Sequence, residues 1–193
     1  MNRKPAGLGK RRRALVKRRR GSPPAEVRDI LGHTGSLTQL AGRRCPERLR
    51  IEIKRQGWAP LLCDERRALR LRPGQWGWIR EVLFRCRDRP WFYGRSVMTG
   101  NTLRRIRYRL RRLGARPLGA LLFSMPGVAR EELQARRLGR KAPLYGLAAA
   151  DCQGAARRLW MRRSRFRIGG RPLLITEVIL PGFCRNKGGG APK

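Results

Sequence analysis

The most restrictive stretch of this sequence lies near its end. From Trp160 to Ile168, Ser164, Phe166 and Ile168 alternate with Arg163, Arg165 and Arg167. Period-two alternation predicts a strand. Gly169-Gly170 follows, and two glycines accept the positive φ that a tight two-residue hairpin turn requires. Leu173 to Leu180 is then apolar on both faces, which predicts a strand covered on both sides. A chain that closes on such a hairpin must build an antiparallel sheet and cover it.

The upstream pattern supplies more of that sheet. Leu49, Ile51 and Ile53 alternate with Arg50, Glu52 and Lys54, a half-buried strand. Ala68 to Arg72 reads as another strand. Trp76 to Cys86 reads as a third, Asp88-Arg89-Pro90 as a turn, and Trp91 to Met98 as a fourth. Helices are interspersed. Val27, Ile30 and Leu31 have helical spacing, with Gly32 as the stop; Ser36 or Thr38 suits the cap of a second helix. Asn101 suits the cap of a longer helix, whose apolar face is Leu103, Ile106, Leu110 and Leu113 and whose end is Gly114. Its other face carries Arg104, Arg105, Arg107, Arg109, Arg111 and Arg112. Leu118 to Phe123 reads as a short buried helix, and residues 125–157 as helical pieces and loop. Trp76, Trp78, Trp91 and Trp160 are expected in the core. The fold class is α+β: one domain over residues 25–184, an antiparallel sheet with helices.

Charge sets the partner classes. Among 193 residues there are 48 Lys+Arg and 12 Asp+Glu, a formal net charge of +36. Such a field draws anions, and composition alone leaves a nucleic acid and a small anionic ligand equally open. Residues 1–24 hold like-charge blocks such as Lys17-Arg18-Arg19-Arg20 and read as a disordered basic arm, the one segment suited to nucleic acid. Residues 185–193 read as a flexible tail. The five cysteines lack C-x-x-C spacing, and the single histidine, His33, is distant from them in sequence. That pattern argues against a zinc site and a disulfide framework, and predicts free thiols in a reducing compartment. The basic N-terminus has no apolar run for a signal peptide, and no stretch is long enough to span a membrane. A soluble cytoplasmic protein is expected.

Two charges fall on apolar strand faces. Glu177 shares a face with Leu173, Ile175 and Ile179; Arg80 shares one with Trp78, Val82 and Phe84. A carboxylate and a guanidinium in such places need partners or a task. They could pair with each other, or Arg80 could hold a bound carboxylate. Glu81 points to the opposite face as a surface or ion-pair residue. Arg95 follows Gly94 on the next strand, and a hairpin would let Arg80 and Arg95 reach one cavity. Two arginines and one buried acid describe a pocket for a small dianion. No nucleophile–base–acid set and no glycine-rich phosphate loop is present in the sequence.

The segments then resemble a known family. Trp78-Ile79-Arg80-Glu81-Val82-Leu83, Pro90-Trp91 with Gly94-Arg95-Ser96-Val97, and Leu113-Gly114-Ala115-Arg116-Pro117-Leu118-Gly119 with Leu122-Phe123 are similar to three motifs of chorismate pyruvate-lyases. So are Gly35-Ser36-Leu37-Thr38 and the closing Arg162-Arg163-Ser164, Pro172-Leu173-Leu174, Thr176-Glu177 and Leu180-Pro181. The match runs in order over residues 26–183. The resemblance implies an internal ligand cavity closed by helical flaps and a monomer acting on chorismate without metal or organic cofactor. It further implies pyruvate elimination to 4-hydroxybenzoate for ubiquinone synthesis. By position it implies that Arg80 holds the ring carboxylate with the backbone amides of Leu37 and Leu118. Glu177 would meet the 4-hydroxyl, and Arg95 the enolpyruvyl carboxylate. A ligand-binding domain of the same fold without turnover, and a basic RNA-binding protein, are the alternatives. The arm at residues 1–20 and the +36 charge are not features the family requires.

Overall fold

Six antiparallel strands form one open sheet in the computed structural model, which describes residues 23–152 and 157–184. The expected tail and nearly all of the expected basic arm lie outside the described residues. In chain order the elements are α1 (Ala25–Gly32), α2 (Leu37–Arg44), β1 (Arg50–Pro60), α3 (Cys63–Leu69), β2 (Trp76–Cys86), β3 (Arg89–Met98), α4 (Gly100–Arg111), α5 (Leu118–Ser124), β4 (Val128–Gly139), α6 (Pro143–Ala149), β5 (Arg158–Ile168), β6 (Arg171–Ile179) and α7 (Pro181–Cys184). The strand order is β1-β2-β3-β6-β5-β4. The expected α+β architecture, with helices laid on an antiparallel sheet, is observed. No described helix is long and apolar enough to cross a membrane.

The closing hairpin forms as its sequence requires. Gly169 and Gly170 take φ of 50° and 80°, a pairing of angles that side-chain-bearing residues resist. β6 lies inside the sheet, between β3 and β5, which is why its residues are apolar on both faces. On one face, α1 and α2 bury Val27, Ile30, Leu31 and Leu37 against Val82, Phe84, Phe92 and Ile179. On that same face, α4 and α5 bury Ile106, Leu110, Leu118 and Leu122 against Trp78, Met98, Phe166 and Leu173. The opposite face is covered by α3 and α6. Each large side chain buried this way contributes about 1.5–3 kcal/mol.

Several local expectations are corrected. Residues 68–72 do not form a strand; α3 occupies 63–69, because Glu65 accepts from the Leu62 backbone N–H (3.0 Å) and is drawn inward by Arg95. Thr99, not Asn101, caps α4: its hydroxyl accepts from the Thr102 N–H. The 125–157 segment contains a long strand, β4, as well as the helix α6. β4 is an edge strand rich in Glu, Gln and Arg, so its composition reads as helical while its ladder with β5 decides otherwise. Trp76 is exposed at the start of β2, whereas Trp78 and Trp91 are buried as expected. The arginine-rich face of α4 is exposed to solvent.

The thiol expectation also fails in part. Cys45 and Cys86 form a disulfide with a Cα–Cα distance of 5.7 Å, joining the end of α2 to the end of β2. The two lie 41 residues apart, so only the packing of α2 on the sheet brings them together. Cys63, Cys152 and Cys184 are not joined in disulfides, as expected.

The face under α3 carries a buried ion network. Arg95 donates Nε to Glu65 Oε1 (2.7 Å), Nη2 to Glu65 Oε2 (3.0 Å) and Nη1 to Glu81 Oε1. Glu81, expected as a surface or ion-pair residue, is an ion-pair residue and is buried. Alongside it, Arg163 donates to Asp64 (2.7 Å) and to the Thr176 hydroxyl (3.0 Å).

Two consequences are measurable by urea unfolding. Reducing the Cys45–Cys86 bond, or replacing both cysteines with serine, should lower stability by about 2–4 kcal/mol, the range for a closed loop of this size. Arg95→Met should lower it by about 3–5 kcal/mol, because Glu65 and Glu81 lose their cation while buried. Adding Glu65→Gln to Arg95→Met should recover part of that loss.

Candidate active site

The sheet face beneath α2 and α5 is organised in cross-strand rows. One row runs Val82, Gly94, Glu177, Arg162 across β2, β3, β6 and β5. The next runs Arg80, Ser96, Ile175, Ser164. A third ends in Leu173, Phe166 and, on β4, Arg130. In the first two of these rows β3 presents only Gly94 and Ser96. A Cβ on Gly94 would stand 3.1 Å from Val82 Cγ2 and 3.2 Å from Phe84, so no larger residue fits there without displacement. Small residues at the middle of a packed face leave space, and a small cavity, partly open to solvent, occupies it.

Helix starts form the roof. Ser36, Leu37 and Thr38 of α2, and Pro117, Leu118 and Gly119 of α5, line the cavity. The Ser36 side chain caps α2 by accepting from the Gln39 N–H. The backbone N–H groups of Leu37 and Leu118 stand at the first helical positions, where no intrahelical acceptor exists.

The two helix-entry loops are tied down by arginines rising from the sheet. Arg80, 2% exposed, donates Nη1 to Gln56 Oε1 and Nη2 to the carbonyls of Gly114 (2.6 Å) and Arg116 (3.2 Å). Gly114 has φ of 53°, which turns the chain so that its carbonyl meets Arg80. Arg162, 1% exposed, donates Nε to Glu177 and Nη1 to the His33 carbonyl at 2.7 Å, with the Ile30 and Gly35 carbonyls at 3.4 and 3.5 Å. Glu177, expected to be buried, is partly buried, and Arg162 is the partner that its place on an apolar face calls for. Arg80 has no carboxylate partner among the described residues; its acceptors are neutral.

The cavity is therefore strongly positive. Arg80, Arg130 and Arg162 line it, and Glu177 is the one carboxylate. Burial pulls Arg80 below its ordinary value. Arg130 is lowered to about 10 by burial and by Arg162, with Glu177 opposing. Both remain cations at neutral pH. His33 is held below its usual value by burial and by Arg162, Arg130 and Arg43. Beyond burial, the arginine contributions at Arg130 and His33 report a positive field, which favours anions.

Of the residues singled out in the sequence, Arg80, Glu177, Leu37 and Leu118 converge on this cavity. Arg95 does not. It follows Gly94 in β3, so pleating sends its side chain to the opposite face, where Glu65 and Glu81 hold it. Arg80 and Glu177 do not pair: they stand in adjacent rows, two strands apart, about 10 Å across the sheet.

Sequence reasoning missed Arg130 and Arg162 as cavity residues. Arg162 was legible from parity, since it alternates with Arg163 and shares a face with Ser164. Arg130 was not. A β-bulge between Arg130 and Glu132 breaks the alternation of β4 and re-aims it.

The sequence pattern of the chorismate lyase family matches residues 17–187. "Probable chorismate pyruvate-lyase 2" of Pseudomonas entomophila is 40% identical over 153 residues, covering 79% of each chain. "Probable chorismate pyruvate-lyase" of Azoarcus sp. is 41% identical over 159 residues, covering 80% of this chain and 84% of the relative. That of Halorhodospira halophila is 38% identical over 161 residues, covering 83% and 84%. Among solved structures, the C-terminal domain of the histidine utilization repressor from Pseudomonas syringae pv. tomato aligns with a TM-score of 0.51 at 15% identity, over 75% of this chain and 100% of its own. Gene product SA0254 of Staphylococcus aureus aligns with a TM-score of 0.53 at 11% identity, over 77% and 88%. At such identities the likeness shows the fold alone. A family match over most of the chain and relatives near 40% identity show the lineage as well: the protein belongs to the chorismate lyase family.

Proposed function

We propose that this protein is a chorismate pyruvate-lyase that makes 4-hydroxybenzoate for ubiquinone synthesis, as a cytoplasmic monomer. Neither metal nor organic cofactor takes part in this reading. The observation that carries it is Arg80, a fully buried cation in a small-molecule cavity whose acceptors are all neutral. Such a group binds a carboxylate without first giving up an ion pair.

The ring carboxylate of chorismate lies against Arg80, with the N–H groups of Leu37 and Leu118 adding to the grip. Glu177, held by Arg162 two strands away, meets the 4-hydroxyl at the other end of the ring. In the reaction the C3–O ether breaks and the C4 hydrogen leaves as a proton. The C–H electron pair completes the aromatic ring. The enolate of pyruvate departs with the C–O electron pair and takes up one proton at its methylene carbon, so the conversion is redox-neutral. Aromatisation supplies the driving force. The protein orients the dianion, excludes water and assists proton movement near Glu177.

Folded protein freed of bound product should release 4-hydroxybenzoate and pyruvate in equal amounts from chorismate alone, followed by absorbance. Arg80→Ala should weaken 4-hydroxybenzoate binding roughly 100-fold, the worth of a lost charge-assisted pair. Glu177→Gln should lower kcat by at least about 100-fold if the carboxylate moves a proton, and by less if it only orients the hydroxyl. The absence of turnover above background would leave a ligand-binding relative of the same fold. A cytoplasmic setting is reducing, so the Cys45–Cys86 dithiol form belongs in the same assay.

A further inference from the structure

Chorismate carries two carboxylates, and the reading above engages only one. Arg95, expected for the second, is on the other face of the sheet with both of its acids. Two buried polar atoms in the cavity stand ready instead. Arg130 Nε has no hydrogen-bond partner, and neither does Ser164 Oγ; Ser164 is 1% exposed. Both residues line the cavity. Buried donors in native proteins are rarely left unpaired, and such exceptions mark places a ligand fills.

Arg130 is also fixed in place. Its guanidinium carbon lies 5.2 and 4.9 Å from the ring centroids of Phe123 and Phe166, and Nη1 donates to the Thr34 carbonyl. A planar cation held this way offers an edge at little entropic cost. Its position is the informative part. Ser164 and Arg130 lie on β5 and β4, beyond Glu177 when counted from the Arg80 strand. In chorismate the enolpyruvyl ether is on C3, next to the C4 hydroxyl. Its carboxylate therefore emerges at the Glu177 end of the ring, away from Arg80.

We propose that Arg130 and Ser164 form a second carboxylate subsite, which takes the enolpyruvyl carboxylate of the substrate and separates substrate from product. The proposal rests on the lyase reading. The aromatic product has only the ring carboxylate and makes no use of this subsite. After cleavage the subsite holds the departing pyruvate, the smaller and more weakly tethered product.

The test pairs two measurements on each variant: steady-state kinetics with chorismate, and equilibrium binding of 4-hydroxybenzoate. Arg130→Gln should lower kcat/KM roughly 10- to 100-fold, chiefly through KM, and Ser164→Ala roughly 5-fold. In both, the dissociation constant for 4-hydroxybenzoate should stay within roughly twofold, which also certifies that the cavity is folded. Arg130→Lys keeps the charge and should recover part of the chorismate affinity. A parallel loss of product affinity and kcat/KM would make Arg130 a support of the cavity and overturn the subsite. Unchanged kinetics in both variants would overturn it while leaving the lyase reading intact. A wild-type protein without turnover would remove the lyase reading and the subsite together.

Discussion

Two buried guanidinium groups hold the rest of the cavity in place. Arg80 and Arg162 rise from strands on either side of β3 and β6 and end on backbone carbonyls of the loops that enter α5 and α2. A buried cation with five donors is tolerable only when those donors are satisfied. Loop carbonyls take part of that demand, with Gln56 completing it at Arg80 and Glu177 at Arg162, so each flap is pinned where its arginine points. The acceptors of Arg80 are neutral and leave its charge uncancelled, whereas Arg162 is paired with Glu177. The floor cations therefore serve two ends at once: they position the roof, and they leave the enclosed space positive.

The same sheet performs a different task on its other face, and strand pleating divides the labour between neighbouring residues. Arg80 faces the cavity and Glu81 the opposite side; Gly94 and Arg95, Arg162 and Arg163, and Glu177 and Thr176 divide in the same way. One member of each pair shapes the ligand space. The other joins the network that binds α3 to the sheet. The network there sets two carboxylates, Glu65 and Glu81, around the one guanidinium of Arg95. The cavity has the reverse imbalance, with three guanidiniums facing one carboxylate. That imbalance, rather than the +36 charge of the whole chain, makes the cavity itself a place that favours anions.

Much of this was legible in the sequence because it is written in short-range patterns. Alternation marked β1 and β5, and a run apolar on both faces marked β6; the Gly169-Gly170 pair fixed the turn between the last two strands; and a carboxylate and a guanidinium on apolar faces marked Glu177 and Arg80. Parity alone even separated Glu81 from Arg80. The same rule, applied to Arg95, would have placed it beside Glu81 and away from the cavity. The hope that a hairpin brings Arg80 and Arg95 together neglected that they lie on opposite faces.

What the chain determined by itself is therefore the strands β1, β2, β3, β5 and β6, the side of the sheet their residues take and the identity of the charges that need partners. Only the tertiary structure decided which partner each charge received. Glu177 meets Arg162, fifteen residues away along the chain and adjacent across the β5–β6 ladder. Glu65 reaches Arg95 because α3 packs under the sheet. β4 became a strand through its ladder with β5, and a bulge there turned Arg130 into the cavity. Cys45 met Cys86 through the docking of α2. The physical reason is common to all four. Backbone periodicity is a local property with a free-energy preference in every residue, whereas partner choice depends on distances between segments that no local preference encodes.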